Sequence, residues 1–220
     1  MQENNNHQDF LTTLKEIAKE KLCSMGDGHD FDHTLRVLKC GEKLLMQLPQ
    51  ADALVVKTAI ILHDIARPLE SQSCGKVCHA QIGAKLIPDI LNQFNLDQEF
   101  ISKVANCVRC HRYRDNAEPT TIEEKIVYDA DKLDSMGAIG IGRAFLFAGN
   151  NGARLHNTKE EALNSKEYSK EDTAYREYLV KLSHLKNRMQ TIPGKALALE
   201  RHNFMEKFFH ELNEEVSGNK

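Results

Sequence analysis

The sequence holds 220 residues, 41% of them apolar and 28% charged, with no Trp and a formal net charge of −3. That length suits one domain of ordinary to large size, and the near balance of charge gives no electrostatic reason to expect nucleic acid or a membrane as partner, although a local basic cluster could still grip a small phosphorylated molecule. No basic N-terminal region precedes an apolar run and no stretch approaches a membrane span, so a cytoplasmic location is expected, with Cys23, Cys40, Cys74, Cys78, Cys107 and Cys110 as reduced thiols.

Helical periodicity dominates, and the expected fold class is all-α. Over 31–48 the set Val37, Leu38, Gly41, Leu44, Leu45 and Leu48 recurs at spacings of three and four, with His33 on the same face one turn earlier. Pro49 and Asp52 mark the start of a very apolar helix over 51–66, ending near Arg67-Pro68. A loop is expected over 69–78, then helices over roughly 78–92, 97–110, 120–134, 136–148, 172–190 and 195–216. In the last, Leu197, Phe204, Met205, Phe208, Phe209 and Leu212 form a stripe that reads as core, part of it a candidate homodimer face. The polar stretch 148–171 lacks periodicity and reads as a surface insertion or lid. We expect one domain over 1–220, its core over about 20–150 and its C-terminal helices over 172–216.

The chemistry concentrates at His63-Asp64 in the apolar helix. A carboxylate in such a helix is costly unless a cation compensates it, and a metal ion is the natural compensator. His33 lies on a neighbouring helix that should pack antiparallel, and Asp131 comes from a third, giving an N2O2 donor set. That set suits Mn, Fe, Co or Ni, with Mg or Zn possible, and leaves positions for water and substrate. Arg36, Arg67, Lys132, Arg109, Arg112 and Arg114 are candidates for handling phosphate charge, Arg36 and Lys132 foremost by position.

The order His33…His63-Asp64…Asp131 and the phrase running from Asp129 through Gly142-Arg143 resemble the HD-domain metal-dependent phosphohydrolases, in particular their small stand-alone bacterial branch, over about residues 20–150. The resemblance implies an all-α HD-domain bundle that hydrolyses phosphoester or phosphoanhydride bonds, commonly in nucleotides, with a divalent metal held by His33, His63, Asp64 and Asp131. It also implies that His79 and His111 line the substrate pocket or bind a second metal. Asp134 or Glu70 could orient water or a metal-bound imidazole; Asp134 is preferred and joins Asp64 and Lys132 as the catalytic set, with Arg36, Arg67, His79, His111 and Arg112 binding substrate. Asp30 and Asp129 read as helix caps or surface acids.

Two local matches lead elsewhere. Cys107-Val-Arg-Cys110-His111 has the form of a haem-attachment site, and with Cys74 and Cys78 it imitates a zinc site, but cysteines on amphipathic helices are usually small buried hydrophobes. Gly137, Gly140 and Gly142 have the wrong spacing for a dinucleotide loop and suit close helix packing. The favoured reaction is cleavage of a nucleoside triphosphate to monophosphate and pyrophosphate, because the arginines supply more positive charge than one phosphate requires. The alternatives are a monophosphate phosphatase, a non-catalytic ligand-binding HD module, and a di-iron oxygenase on the same scaffold.

Overall fold

The computed structural model describes residues 2–22, 30–73, 75–112 and 117–220; among them are helices and turns and no strand. The chain divides into two compact units, Met1–Asp131 and Lys132–Lys220.

The first unit opens with α1 (Gln2–Leu22), a helix the sequence reading leaves unassigned. Leu14, Ala18 and Leu22, spaced four apart, form its fully buried stripe. Next comes α2 (Phe31–Leu45), which starts at Asp30, whose side chain accepts from the His33 backbone N–H at 3.0 Å. Asp52 caps α3 (Ala53–Leu62) in the same way, accepting from Leu54 and Val55. Val55, Val56, Thr58, Ala59, Ile60, Ile61 and Leu62 are all buried, and α3 packs on α1, α2 and the later α6 (Gln98–Cys110). It is the central helix that its composition predicts.

That helix ends earlier than expected. At His63 the chain leaves α3 and passes through a turn, in which Ile65 N–H donates to Leu62 and Arg67 N–H to Asp64, at 3.1 and 2.8 Å. Pro68 then lies in the first turn of a further helix, α4 (Arg67–Gln72), where its missing N–H costs nothing. Pro68 therefore opens a helix inside the segment read as loop. After it come α5 (His79–Leu91) and α6, pressed together where a Cβ on Gly83 would meet Val108 at 3.2 Å. The start of α7 (Ile122–Asp134) is fixed by Glu124, which accepts from the Thr120 and Thr121 N–H groups, and by Glu123, which accepts from Asp52 N–H at 2.9 Å.

The second unit carries α8 (Gly137–Asn150), α9 (Lys159–Asn164), α10 (Ala174–Val180), a 3-10 stretch Leu182–Arg188 and α11 (Ile192–Val216). Its core gathers Tyr175, Tyr178 and Phe209, the last two rings stacked at 4.5 Å. On α11 the buried stripe is Ala198, His202, Met205 and Phe209, while Phe204 is half exposed. Within 148–171 the chain has structure of its own. Thr158 and Glu161 form a capping box for α9, and buried Asn157 donates to the Glu171 carbonyl and accepts from the Thr173 hydroxyl. No helix among the described residues is long and apolar enough to cross a membrane.

Candidate metal centre

Three elements of the first unit bring the four expected ligands together. His33 lies in the first turn of α2, His63 and Asp64 just past the end of α3, and Asp131 near the end of α7. His33 Nε2 stands 3.2 Å from His63 Nε2, 3.4 Å from Asp131 Oδ1 and 3.7 Å from Asp64 Oδ2. His63 Nε2 is 3.5 Å from Asp64 Oδ2 and 3.9 Å from Asp131 Oδ1. Donors each ~2.1 Å from one cation lie roughly 3.0–3.5 Å from their neighbours, so this set needs only slight contraction around an ion.

The second face of Asp64 meets another set. Its Oδ1 is 3.1 Å from His79 Nε2 at the start of α5 and 3.5 Å from His111 Nε2 just past α6. The two imidazole nitrogens are 3.1 Å apart. Asp64 thus offers one carboxylate oxygen to each cluster.

Tautomers decide what these nitrogens can do. His63 Nδ1–H donates to the Ile60 carbonyl at 2.7 Å and His111 Nδ1–H to the Val108 carbonyl at 2.6 Å. His79 Nδ1 is hydrogen-bonded to the Glu70 carboxylate. Carbonyls accept only, so the Nε2 atoms of His63 and His111 carry lone pairs, and in the neutral ring so does that of His79. Burial lowers His63 to about 3, with His111 and His33 adding to the effect against the pull of Asp64 and Asp131. His111 is lowered too, chiefly by burial. Lone pairs that converge in this way fit a cation.

Around the second cluster sits a charged hub. Arg67 approaches Asp64 Oδ2 through Nε at 3.4 Å and Glu70 Oε2 through Nη1 at 3.3 Å, while Arg112 Nη2 is 2.8 Å from Glu70 Oε1. Burial works to raise the Glu70 carboxyl, but the bond from His79 and the charges of His79, Arg112 and Arg67 outweigh it and hold the group below the usual carboxylate range.

The remaining candidates divide. Arg36 is half-buried on α2, Arg109 is exposed, and Arg114 lies outside the described residues, as do Cys23 and Cys74. Lys132 follows Asp131 in α7 and is buried. Asp134 is paired with Arg143 at 2.9 Å within the second unit, and Glu70, the less favoured orienting acid, is the one on an imidazole. Asp30 is a helix cap, and Asp129 is fully buried. Cys107 and Cys110 are free thiols that burial pushes up, and no cysteine joins a potential ligand group among the described residues. Gly137 adopts φ +69° beneath the Arg201 side chain, and a Cβ on Gly140 would lie 2.3 Å from the Ser135 carbonyl oxygen, so two of the three glycines serve close packing.

The family model for the HD domain matches residues 30–136. YpgQ of Bacillus subtilis (strain 168) is 33% identical over 205 residues, covering 90% of this chain and 89% of the relative. The structure of B. subtilis YpgQ in complex with ADP superposes with a TM-score of 0.69 at 27% identity, covering 94% of this chain and 100% of that one. An HD-superfamily hydrolase from Bacillus thuringiensis gives a TM-score of 0.74 at 27% identity, covering 96% and 98%. With a relative this similar along most of its length, and an HD match that spans His33, His63, Asp64 and Asp131, the chain belongs to the HD domain family.

Proposed function

We propose that this chain, a metal-dependent phosphohydrolase of the HD superfamily, acts on nucleoside triphosphates at a two-cation centre, yielding a monophosphate and pyrophosphate. The observation that carries the reading is Asp64, whose two oxygens face two separate groups of imidazole nitrogens. His33, His63, Asp64 and Asp131 would hold one cation; Asp64, His79 and His111 would hold the other, His79 and His111 thereby serving as ligands rather than as pocket lining. A divalent cation there supplies hydrolytic power by lowering the pKa of a water and withdrawing charge from a phosphoryl oxygen. Manganese, cobalt, nickel and iron suit the nitrogen-rich donors best.

The chain's own residues do the rest. Arg67 and Arg112 approach from α4 and from the end of α6 and meet at Glu70, so two guanidiniums stand beside the second cluster. That is more positive charge than a monophosphate needs, and it suits a polyphosphate whose leaving group must be neutralised. Lys132, beside Asp131 in sequence, is assigned to phosphate as well. The ADP bound to YpgQ supports a nucleotide as the ligand class. The buried free thiols of Cys107 and Cys110 suit a reducing compartment, and the cytoplasm is the proposed setting.

Phosphorus NMR of the products tests the bond choice. Metal-stripped protein reloaded with Mn(II), Co(II) or Ni(II) should release pyrophosphate from a triphosphate panel. Orthophosphate from monophosphates, with no pyrophosphate from any triphosphate, overturns it. Four imidazoles about the Asp64 carboxylate would also suit a pair of irons, and dioxygen uptake by iron-loaded protein would favour an oxygenase.

A further inference from the structure

Glu70 joins the cation end of the site to its phosphate end. One of its oxygens holds His79 Nδ1 and Arg67, and the other holds Arg112. The Glu70 side chain is 10% exposed, whereas Arg67 and Arg112 keep 24% and 21% of theirs open. An arriving anion can therefore reach the two guanidiniums more readily than it can reach the carboxylate between them.

We propose that Glu70 is a positioning residue that couples phosphate binding to cation binding: an anion that draws Arg67 and Arg112 toward itself leaves the carboxylate to His79, and the second cation is held more tightly. The inference rests on the two-cation reading above. A carboxylate that accepts from the far nitrogen of a metal-binding imidazole fixes its tautomer and makes the near nitrogen a better donor. Two guanidiniums on the same carboxylate share its charge and weaken that effect. Linkage then requires the second cation to tighten phosphate by the same factor.

The test titrates Mn(II) into the metal-stripped full chain and follows free Mn(II) by electron paramagnetic resonance, with and without orthophosphate. In the unmodified protein, orthophosphate should tighten the second Mn(II) by about fivefold or more. Glu70→Gln should leave the first Mn(II) unchanged, weaken the second by about tenfold or more, and abolish the phosphate effect. Arg112→Met should do the opposite, tightening the second Mn(II) without phosphate, and this gain should vanish in the double variant with Glu70→Gln. A phosphate effect that survives intact in Glu70→Gln means that phosphate acts on the cation directly, and overturns the proposal. So does an Arg112→Met gain that persists in the double variant. If Glu70→Gln does not fold, Arg112→Met decides alone, and no gain in second-site affinity overturns the coupling. Uptake of one Mn(II) by the unmodified protein at every concentration is a different result: it removes the two-cation reading, and the coupling falls with it.

Discussion

His79 Nε2 and His111 Nε2 stand 3.1 Å apart with their Nδ1 atoms already engaged by Glu70 and the Val108 carbonyl, so they cannot satisfy one another as neutral rings. Asp64 Oδ1 joins them and Asp64 Oδ2 joins the other set, which gives the two aspartates proposed as metal ligands different expected phenotypes. Asp64→Asn should lose both cations and lower turnover by about 100-fold or more, beyond the usual cost of losing an outer partner. Asp131→Asn should empty only the site of His33 and His63. Metal content after desalting, by plasma mass spectrometry, separates them; equal content in the two variants would contradict the bridging role.

Metal-stripped protein should be acid-sensitive over a defined window. His63 is held near 3 in the folded chain against 6.5 in the open one, and His111 is shifted in the same direction. Above about 6.5 both states are neutral at these rings, so stability is unaffected. As pH falls below that value the unfolded chain takes up protons that the folded chain refuses. Stability should then drop by about 1.4 kcal/mol per pH unit for each such ring, down toward the folded value. Thermal unfolding between roughly pH 7.5 and 5 checks it. A flat Tm across that range would mean that the rings are protonated where they sit.

The candidate ligands His33, His63 and Asp64 are legible in the sequence because imidazoles and a carboxylate stand where helix periodicity calls for apolar groups. Glu70 could not be ranked above Asp134 from sequence, since both are acids within a few residues of a ligand and only the tertiary path of α4 against α5 puts Glu70 on His79. The turn at His63 was hidden for a related reason, because Ile65 and Ala66 continue the apolar run while the backbone has already left the helix. Helix α1 does carry a readable stripe at Leu14, Ala18 and Leu22, diluted by a strongly polar leading half.

Lys132→Ala should lower turnover by about tenfold or more with metal content unchanged, the value of a charge-assisted contact to a reacting phosphate. The side chain is buried, so unfolding in urea must accompany the kinetics. A loss of stability with full activity per folded molecule would assign Lys132 to the fold instead.

The glycines after Asp134 give a contrast that does not depend on metal. A Cβ on Gly140 would lie 2.3 Å from the Ser135 carbonyl oxygen and 2.5 Å from its carbon, both backbone atoms that cannot rotate away. The turn entering α8 would have to open, and Gly140→Ala should cost about 1–3 kcal/mol, as overpacking does. Gly142 lies two residues further along the same helix, with nothing within 4 Å of its Cβ position. There Gly142→Ala gains helix propensity without a clash, and should be neutral or stabilising by up to about 1 kcal/mol. Urea midpoints of the two variants measured side by side test the pair. Similar losses at both positions would show that the glycines serve something other than the close approach of Gly140 to Ser135.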